Sequence, residues 1–326
     1  MPNPLTAYVT AQTVSGEFRR PRALSRAVDL LRRAWVGRVV LEGYRGGFVA
    51  SDQALDAARD RFEYEGFDTL GGIMPVHGAE FGKRSEGIET RLPTFCYTDE
   101  ATIAALEHEI RRLARLFNEV VIDDAFLTSC RCGACEASRS GRDWGAFRRD
   151  LLSGVAASWV AAAREENPDV RLIVKFPQYY DRYHRFGYDA DRFPAIFDAV
   201  WQGAETRDPA TLAYGYVEPY EGYYNVAWMR ACAGDRFEGA WFDSLDCDEQ
   251  LFYEQAITTF LAAPKNVTLF CYSESLFGGG MMRRIAETLP ALDALRTIAV
   301  NPTGVHVIHP PNSDAGRDHY LFDYLG

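Results

Sequence analysis

Two adjacent carboxylates, Asp123 and Asp124, close the apolar run Glu119-Val120-Val121-Ile122, and three thiols, Cys130, Cys132 and Cys135, follow within a dozen residues. A short, β-branched apolar run reads as a buried strand. Carboxyls at its end can give or take a proton at a shared site. The Cys-x-Cys-x-x-Cys spacing is that of metal ligands. Further acids close other apolar runs: Glu42, Glu205, Asp243 and Glu274. Beside them stand Tyr44, Arg45, His77, Lys175, Gln178, Tyr179, Trp201, Arg207 and Trp241. Acids and aromatics with only 6 His suit glycoside hydrolysis. One carboxyl protonates the leaving oxygen and another attacks the anomeric carbon or activates water. Aromatic faces suit sugar rings, and Arg and Lys can hold hydroxyls or an anionic group. Each acid has a structural reading as well: Glu42 paired with Arg45, Asp123 capping a loop or orienting Arg207, Asp243 in a turn, Glu274 exposed.

A closed tetrahedral metal site needs a fourth ligand. Cys96 is the first candidate and His108, on the following helix, the weaker one. Four thiolates leave no open position, so the expected zinc is structural. No organic cofactor is expected. Cys232, Cys247 and Cys271 are scattered and read as packing residues.

The elements that must position these groups alternate. Expected strands are 38–45, 67–77, 89–97, 119–124, 170–176, 200–207, 237–243 and 266–274, with helices between them. Helical spacing is clear at Ile103, Leu106, Ile110, Leu113 and Phe117, behind a Thr98 or Asp99 cap. Eight strand-then-helix units in 326 residues favour an α/β fold, a (β/α)8 TIM barrel over 1–300, whose strand ends converge on one face. No GxGxxG opens a helix after an early strand, which weakens a dinucleotide-binding alternative. Residues 301–326 read as the start of a truncated C-terminal α/β domain or as a tail packed on the barrel.

Hydrophobic residues at 47% allow a large core, and a net charge of −11 disfavours nucleic acid as a partner. No leader segment and no run long enough to cross a membrane is visible, so a cytoplasmic protein without a membrane partner is expected.

Together these residues resemble the clan A glycoside hydrolases, and within them the family 42 β-galactosidases. In that family a Cys late in strand three joins a Cys-x-Cys-x-x-Cys loop to hold structural zinc, as Cys96 and Cys130, Cys132 and Cys135 would here. The family's acid/base closes strand four after an Asn, which implies Asp124 after Asp123. Its nucleophile closes strand seven, which implies Asp243. Asp-Asp stands where the family has Asn-Glu, and Asp243 where it has Glu, so the resemblance is to a divergent member. It implies an amidotransferase-like domain after the barrel that helps form trimers, hence a homo-oligomer.

The expectation is therefore a glycosidase acting on a small glycoside or oligosaccharide. Asp124 is its acid/base, and Asp243 its nucleophile or base with Glu205 in reserve. The alternatives are a non-catalytic carbohydrate-binding barrel and a metal-dependent barrel hydrolase or lyase. The absence of His-x-His after strand one and the few histidines argue against the latter.

Overall fold

A computed structural model describes residues 5–78, 81–87, 93–208, 218–298 and 306–312. Eight parallel strands close into a barrel: β1 (Leu5–Val9), β2 (Val36–Arg45), β3 (Asp68–Met74), β4 (Glu119–Asp123), β5 (Arg171–Phe176), β6 (Ala199–Gly203), β7 (Phe237–Asp243) and β8 (Asn266–Phe270). Closure comes from β1, which pairs with β2 on one side and β8 on the other. A two-residue strand, Phe48–Val49, folds back antiparallel on the end of β2.

The barrel is the expected one, but its set of eight strands differs from the expected set at two places. The first is Leu5–Val9, a fully buried run that the sequence reading passed over. The expected strand 89–97 is not part of the barrel. Residues 88–92 lie outside the described residues. At Phe95 there is an isolated antiparallel bridge to Arg84. β3 pairs directly with β4. Cys96 therefore lies in the long loop after β3, not on a strand. The strands expected over 200–207 and 266–274 end earlier, at Gly203 and Phe270.

Helices cover the outside of the barrel. In Glu100–Leu116, Asp99 is the cap and accepts from the Thr102 amide at 2.9 Å. That helix buries Leu106, Ile110 and Leu113 against the strands, each side chain contributing about 1.5–3 kcal/mol. The barrel interior is filled by Tyr8, Val40, Leu70, Val121, Ile173, Ala199, Trp201 and Trp241. Its N-terminal end carries Arg38, Glu119, Arg171 and Glu238, linked in that order by ion pairs. The other end, where the strands finish, carries the acids. Among the described residues no helix is long and apolar enough to cross a membrane.

The segment 306–312 packs on the helix Glu221–Ala233: His309 stacks on Trp228 with centroids 4.6 Å apart, and its carbonyl accepts from Trp228 Nε1 at 2.8 Å.

Candidate active site at the C-terminal mouth of the barrel

Strand alternation sends every second residue inward. Upward from the Trp201 and Trp241 layer, the next inward positions are Glu42 on β2, Asp123 on β4, Lys175 on β5 and Asp243 on β7. All four are buried. Gly203 on β6 brings no side chain there. A Cβ at Gly203 would fall 2.2 Å from Glu205 Oε2, so the glycine makes room for the Glu205 carboxylate to lie over the mouth.

Lys175 is the hub. Its Nζ donates to Glu205 Oε1 at 2.8 Å and lies 3.3 Å from Asp123 Oδ1 and 3.7 Å from Asp124 Oδ1. The ammonium sits 5.0 Å from the centroid of the Trp241 ring. Burial works against its charge, but the carboxylates Asp124, Glu205 and Asp123 outweigh this and hold its pKa well above the usual lysine value.

Alternation alone would send Asp124 outward. The backbone turns into the left-handed region there, with φ +46°, a conformation that Asp tolerates better than most residues. Two successive carboxyls thereby face the same lysine. Burial raises the pKa of Asp124 to about 7; Lys175 opposes this, and Asp123 and Glu205 add to it. Its Oδ1 is buried without a hydrogen-bond partner, as is Glu205 Oε2.

Asp243 is held differently. Arg207 Nη1 donates to its Oδ1 at 2.7 Å and Nη2 to its Oδ2 at 2.8 Å. The Leu245 amide donates to Oδ1 at 2.9 Å. Burial raises the Asp243 pKa to about 7 against the pull of Arg207. On the opposite side, Glu42 accepts from Tyr8 Oη at 2.6 Å, from the Ala11 amide at 2.9 Å and from Arg45 Nε at 2.8 Å. Burial raises its pKa as well. Arg45 continues to Asp123, at 3.7 Å. A Cβ at position 72 would lie 2.9 Å from the Tyr8 hydroxyl, so Gly72 leaves room for that contact.

The structure brings Glu42, Arg45, Asp123, Asp124, Lys175, Glu205, Arg207 and Asp243 to one mouth. Tyr179 and Gln178 follow β5, half-buried, and the Tyr179 hydroxyl is buried with no hydrogen-bond partner. Five expected residues are placed elsewhere. Glu274 opens a short helix, is exposed, and pairs with Arg26 at 2.8 Å. Trp201 and Trp241 are barrel filling, 0% and 2% exposed, and offer no open face to a sugar. Tyr44 packs on Phe81 between barrel and loop, and its hydroxyl donates to the Val76 carbonyl. His77 lies against Phe95 in the loop after β3. The sequence reading missed Tyr8, because strand β1 was missed, and Gly203, whose role shows only through the carboxylate it accommodates.

The four thiols Cys96, Cys130, Cys132 and Cys135 are free and buried, and their sulfurs all lie within 4.8 Å of one another. Cys96 Sγ is 3.7 Å from the sulfurs of Cys132 and of Cys135. Four sulfurs about 2.3 Å from one zinc would stand about 3.8 Å apart in a tetrahedron. The Glu86 amide points at Cys130 Sγ, at 3.3 Å. His108 is exposed on its helix; the thiol cluster does not include it.

An eight-stranded parallel barrel with buried carboxylates at the ends of its strands defines a class of α/β-barrel enzymes. Residues 4–285 match the family model described as "Probable glycosyl hydrolase, catalytic domain"; the chain belongs to that family. It is 22% identical over 295 residues to "Uncharacterized protein SSO3021" of Saccharolobus solfataricus, covering 82% of this chain and 48% of that protein. Among solved structures it is similar to a catalytic mutant of Gan42B, a GH42 β-galactosidase from G. stearothermophilus, with TM-score 0.68, 12% identity, 93% of this chain and 58% of the other. It is also similar to the β-galactosidase from Rahnella sp. R3, with TM-score 0.67, 12% identity, 92% and 57%. GH5_18 from Streptomyces cattleya gives TM-score 0.54 at 10% identity, 92% and 82%. These likenesses show the barrel fold. The chain spans about half the length of the curated relative and under two thirds of the two β-galactosidases.

Proposed function

We propose that the mouth hydrolyses O-glycosides with Asp124 as general acid/base and Glu205 as nucleophile. The observation that carries this is the shared lysine. Asp124 and Glu205 each present a buried oxygen with no hydrogen-bond partner, and Lys175 touches both carboxyls. Summing the two lysine distances, the contacted oxygens are no more than about 6.5 Å apart. That bound accommodates the roughly 5–5.5 Å separation of retaining enzymes. Asp243, with both oxygens engaged by Arg207, is better suited to holding Arg207 against the substrate than to attack.

In the first step Asp124 gives its proton to the glycosidic oxygen while a Glu205 oxygen bonds to the anomeric carbon, and the aglycone leaves as an alcohol. In the second, the Asp124 carboxylate takes a proton from water as that water attacks the anomeric carbon and frees Glu205. A pKa near 7 suits a group that alternates between these forms. The test is a panel of p-nitrophenyl glycosides assayed with wild type, Asp124→Asn and Glu205→Gln. Turnover of one of them, lost in Glu205→Gln, is the expected result. Wild-type turnover retained in both variants would reject the assignment.

The thiol cluster fits structural zinc through the donor set and the sulfur spacing. Cys96, Cys130, Cys132 and Cys135 would hold the ion, which would pin the loop after β4 to the loop after β3. Four reduced thiols also suit a reducing compartment such as the cytoplasm.

A further inference from the structure

We infer that the mouth takes a neutral oligosaccharide lying across the barrel, with Phe48 and Tyr220 as stacking platforms at opposite edges. This rests on the glycosidase reading above and adds the chain length and the course of the substrate.

With Trp201 and Trp241 buried in the filling, sugar-stacking faces must come from the loops. Among the described residues Phe48 is 40% exposed and Tyr220 53% exposed; Tyr64, 86% exposed, closes the helix Asp52–Tyr64 just before β3 begins, at the other end of the barrel. Phe48 and Tyr220 are each tied to the site by a specific neighbour. Phe48 is the antiparallel partner of Arg45, and cross-strand partners share one face of a ribbon. Arg45 uses that face to reach Asp123. Tyr220 stands immediately before the helix Glu221–Ala233, whose Gly222 is seated on the Ala204 carbonyl; a Cβ there would be 2.7 Å from that oxygen. Ala204 directly precedes Glu205. The helix is also held by Asn225 Nδ2, which donates to the Gln178 carbonyl at 2.8 Å. Leu245, 40% exposed, adds an apolar neighbour on β7's side, its amide bound to Asp243.

β2 and β6 are four strands apart in either direction around the ring. Phe48, on the strand paired with the end of β2, and Tyr220, beside the helix seated on the end of β6, therefore stand on opposite sides of the ring, with the strand-end carboxyls between them. A chain of rings passing over the carboxyls from one side to the other meets both. The mouth's own charge favours a neutral chain. Glu42, Asp123, Asp124, Glu205 and Asp243 outnumber Arg45, Lys175 and Arg207, and each of these cations is already within ion-pair distance of an acid.

The experiment uses the full chain. The sugar whose p-nitrophenyl glycoside is turned over is supplied as di- to hexasaccharides. For each variant, kcat/KM for the tetrasaccharide is divided by kcat/KM for the aryl monoglycoside. In wild type the ratio is expected to rise with chain length. In Phe48→Ala and Tyr220→Ala it is expected to fall by about tenfold each, the scale of one lost aromatic contact. A ratio unchanged in both variants, or independent of length in wild type, overturns the inference. If no glycoside is turned over, calorimetric titration with cello-, xylo-, manno- and galacto-tetraose reads the platforms directly. Binding that both variants weaken supports the platforms while sinking hydrolysis; no binding overturns both.

Discussion

Arg207 and Asp243 meet as a two-point fork, Nη1 on Oδ1 at 2.7 Å and Nη2 on Oδ2 at 2.8 Å, with both side chains buried. A fork of this kind fixes the guanidinium plane as well as its position. It also occupies the oxygens that an attacking carboxylate needs. Asp243→Ala should leave Arg207 buried and unmatched, at a cost of about 3–5 kcal/mol in urea unfolding. It should lower kcat without recovery by added azide or formate. Glu205→Ala should recover turnover with those anions, because a small nucleophile can take the place of the missing carboxylate. Anion rescue of Asp243→Ala and not of Glu205→Ala would reverse the two roles.

Asp124 links stability and rate through one proton. Its folded pKa of about 7 lies above the unfolded value of about 3.9. Its contribution to stability is therefore fully present below about pH 4 and lost as pH rises through about 7. Asp124→Asn removes the buried charge, so the variant should gain stability over wild type at pH 8 and show little gain at pH 4. On the rate side, kcat/KM should fall above pH 7 as the acid loses its proton. For alkyl glycosides, Asp124→Asn should cost about 10²–10⁴-fold, and much less for p-nitrophenyl glycosides, whose leaving group needs little protonation. Thermal melts at both pH values and a two-substrate pH profile check this. A variant less stable at pH 8 would contradict the burial argument.

How much of this was legible in the sequence depended on which signal carried it. The barrel was legible because eight β-then-α periods repeat, and a miscounted strand at each of two places left the total unchanged. Leu5–Val9 was passed over because a five-residue apolar run near the start has no preceding helix to frame it. Around Phe95 an apolar stretch looked like a strand, but among the described residues it makes an isolated bridge to Arg84. The thiol cluster was legible from spacing, and Cys96 proved to reach it from a loop. What the sequence did not separate is which strand-end residues turn inward. Trp201 and Trp241 follow alternation into the filling, one layer below the acids. Asp124 breaks alternation through a positive φ, and no periodicity reports that. Glu274 followed a strand that ended four residues earlier than expected.

Zinc in the thiol cluster would make the loops after β3 and β4 depend on metal. Purified protein should carry one zinc per chain by elemental analysis. Chelation under denaturant-free conditions should lower the melting temperature while the far-ultraviolet spectrum keeps the barrel signature, because none of the four thiols lies on a strand. Cys96→Ser and Cys132→Ser should each reduce the zinc content to well under half. Full zinc content in both variants would place the metal elsewhere.

Gly203 offers the sharpest test of where Glu205 must sit. A Cβ at that position would be 2.2 Å from Glu205 Oε2 and 2.9 Å from the Gln178 amide. Neither can be tolerated, so something must move, and the Glu205 side chain is the softer of the two. Its other oxygen is bonded to Lys175 at 2.8 Å, so displacement breaks the lysine hub as well. Overpacking of this size costs about 1–3 kcal/mol, which a barrel of this size should survive. Gly203→Ala should therefore fold, with a melting temperature lowered by a few degrees. Its kcat should fall far more than its stability does, toward that of Glu205→Gln. The double variant Gly203→Ala with Glu205→Gln should be no worse in kcat than Glu205→Gln alone, since both changes disable the same carboxylate. If Gly203→Ala instead keeps wild-type kcat, Glu205 works from another position and the shared-lysine geometry is not the catalytic one.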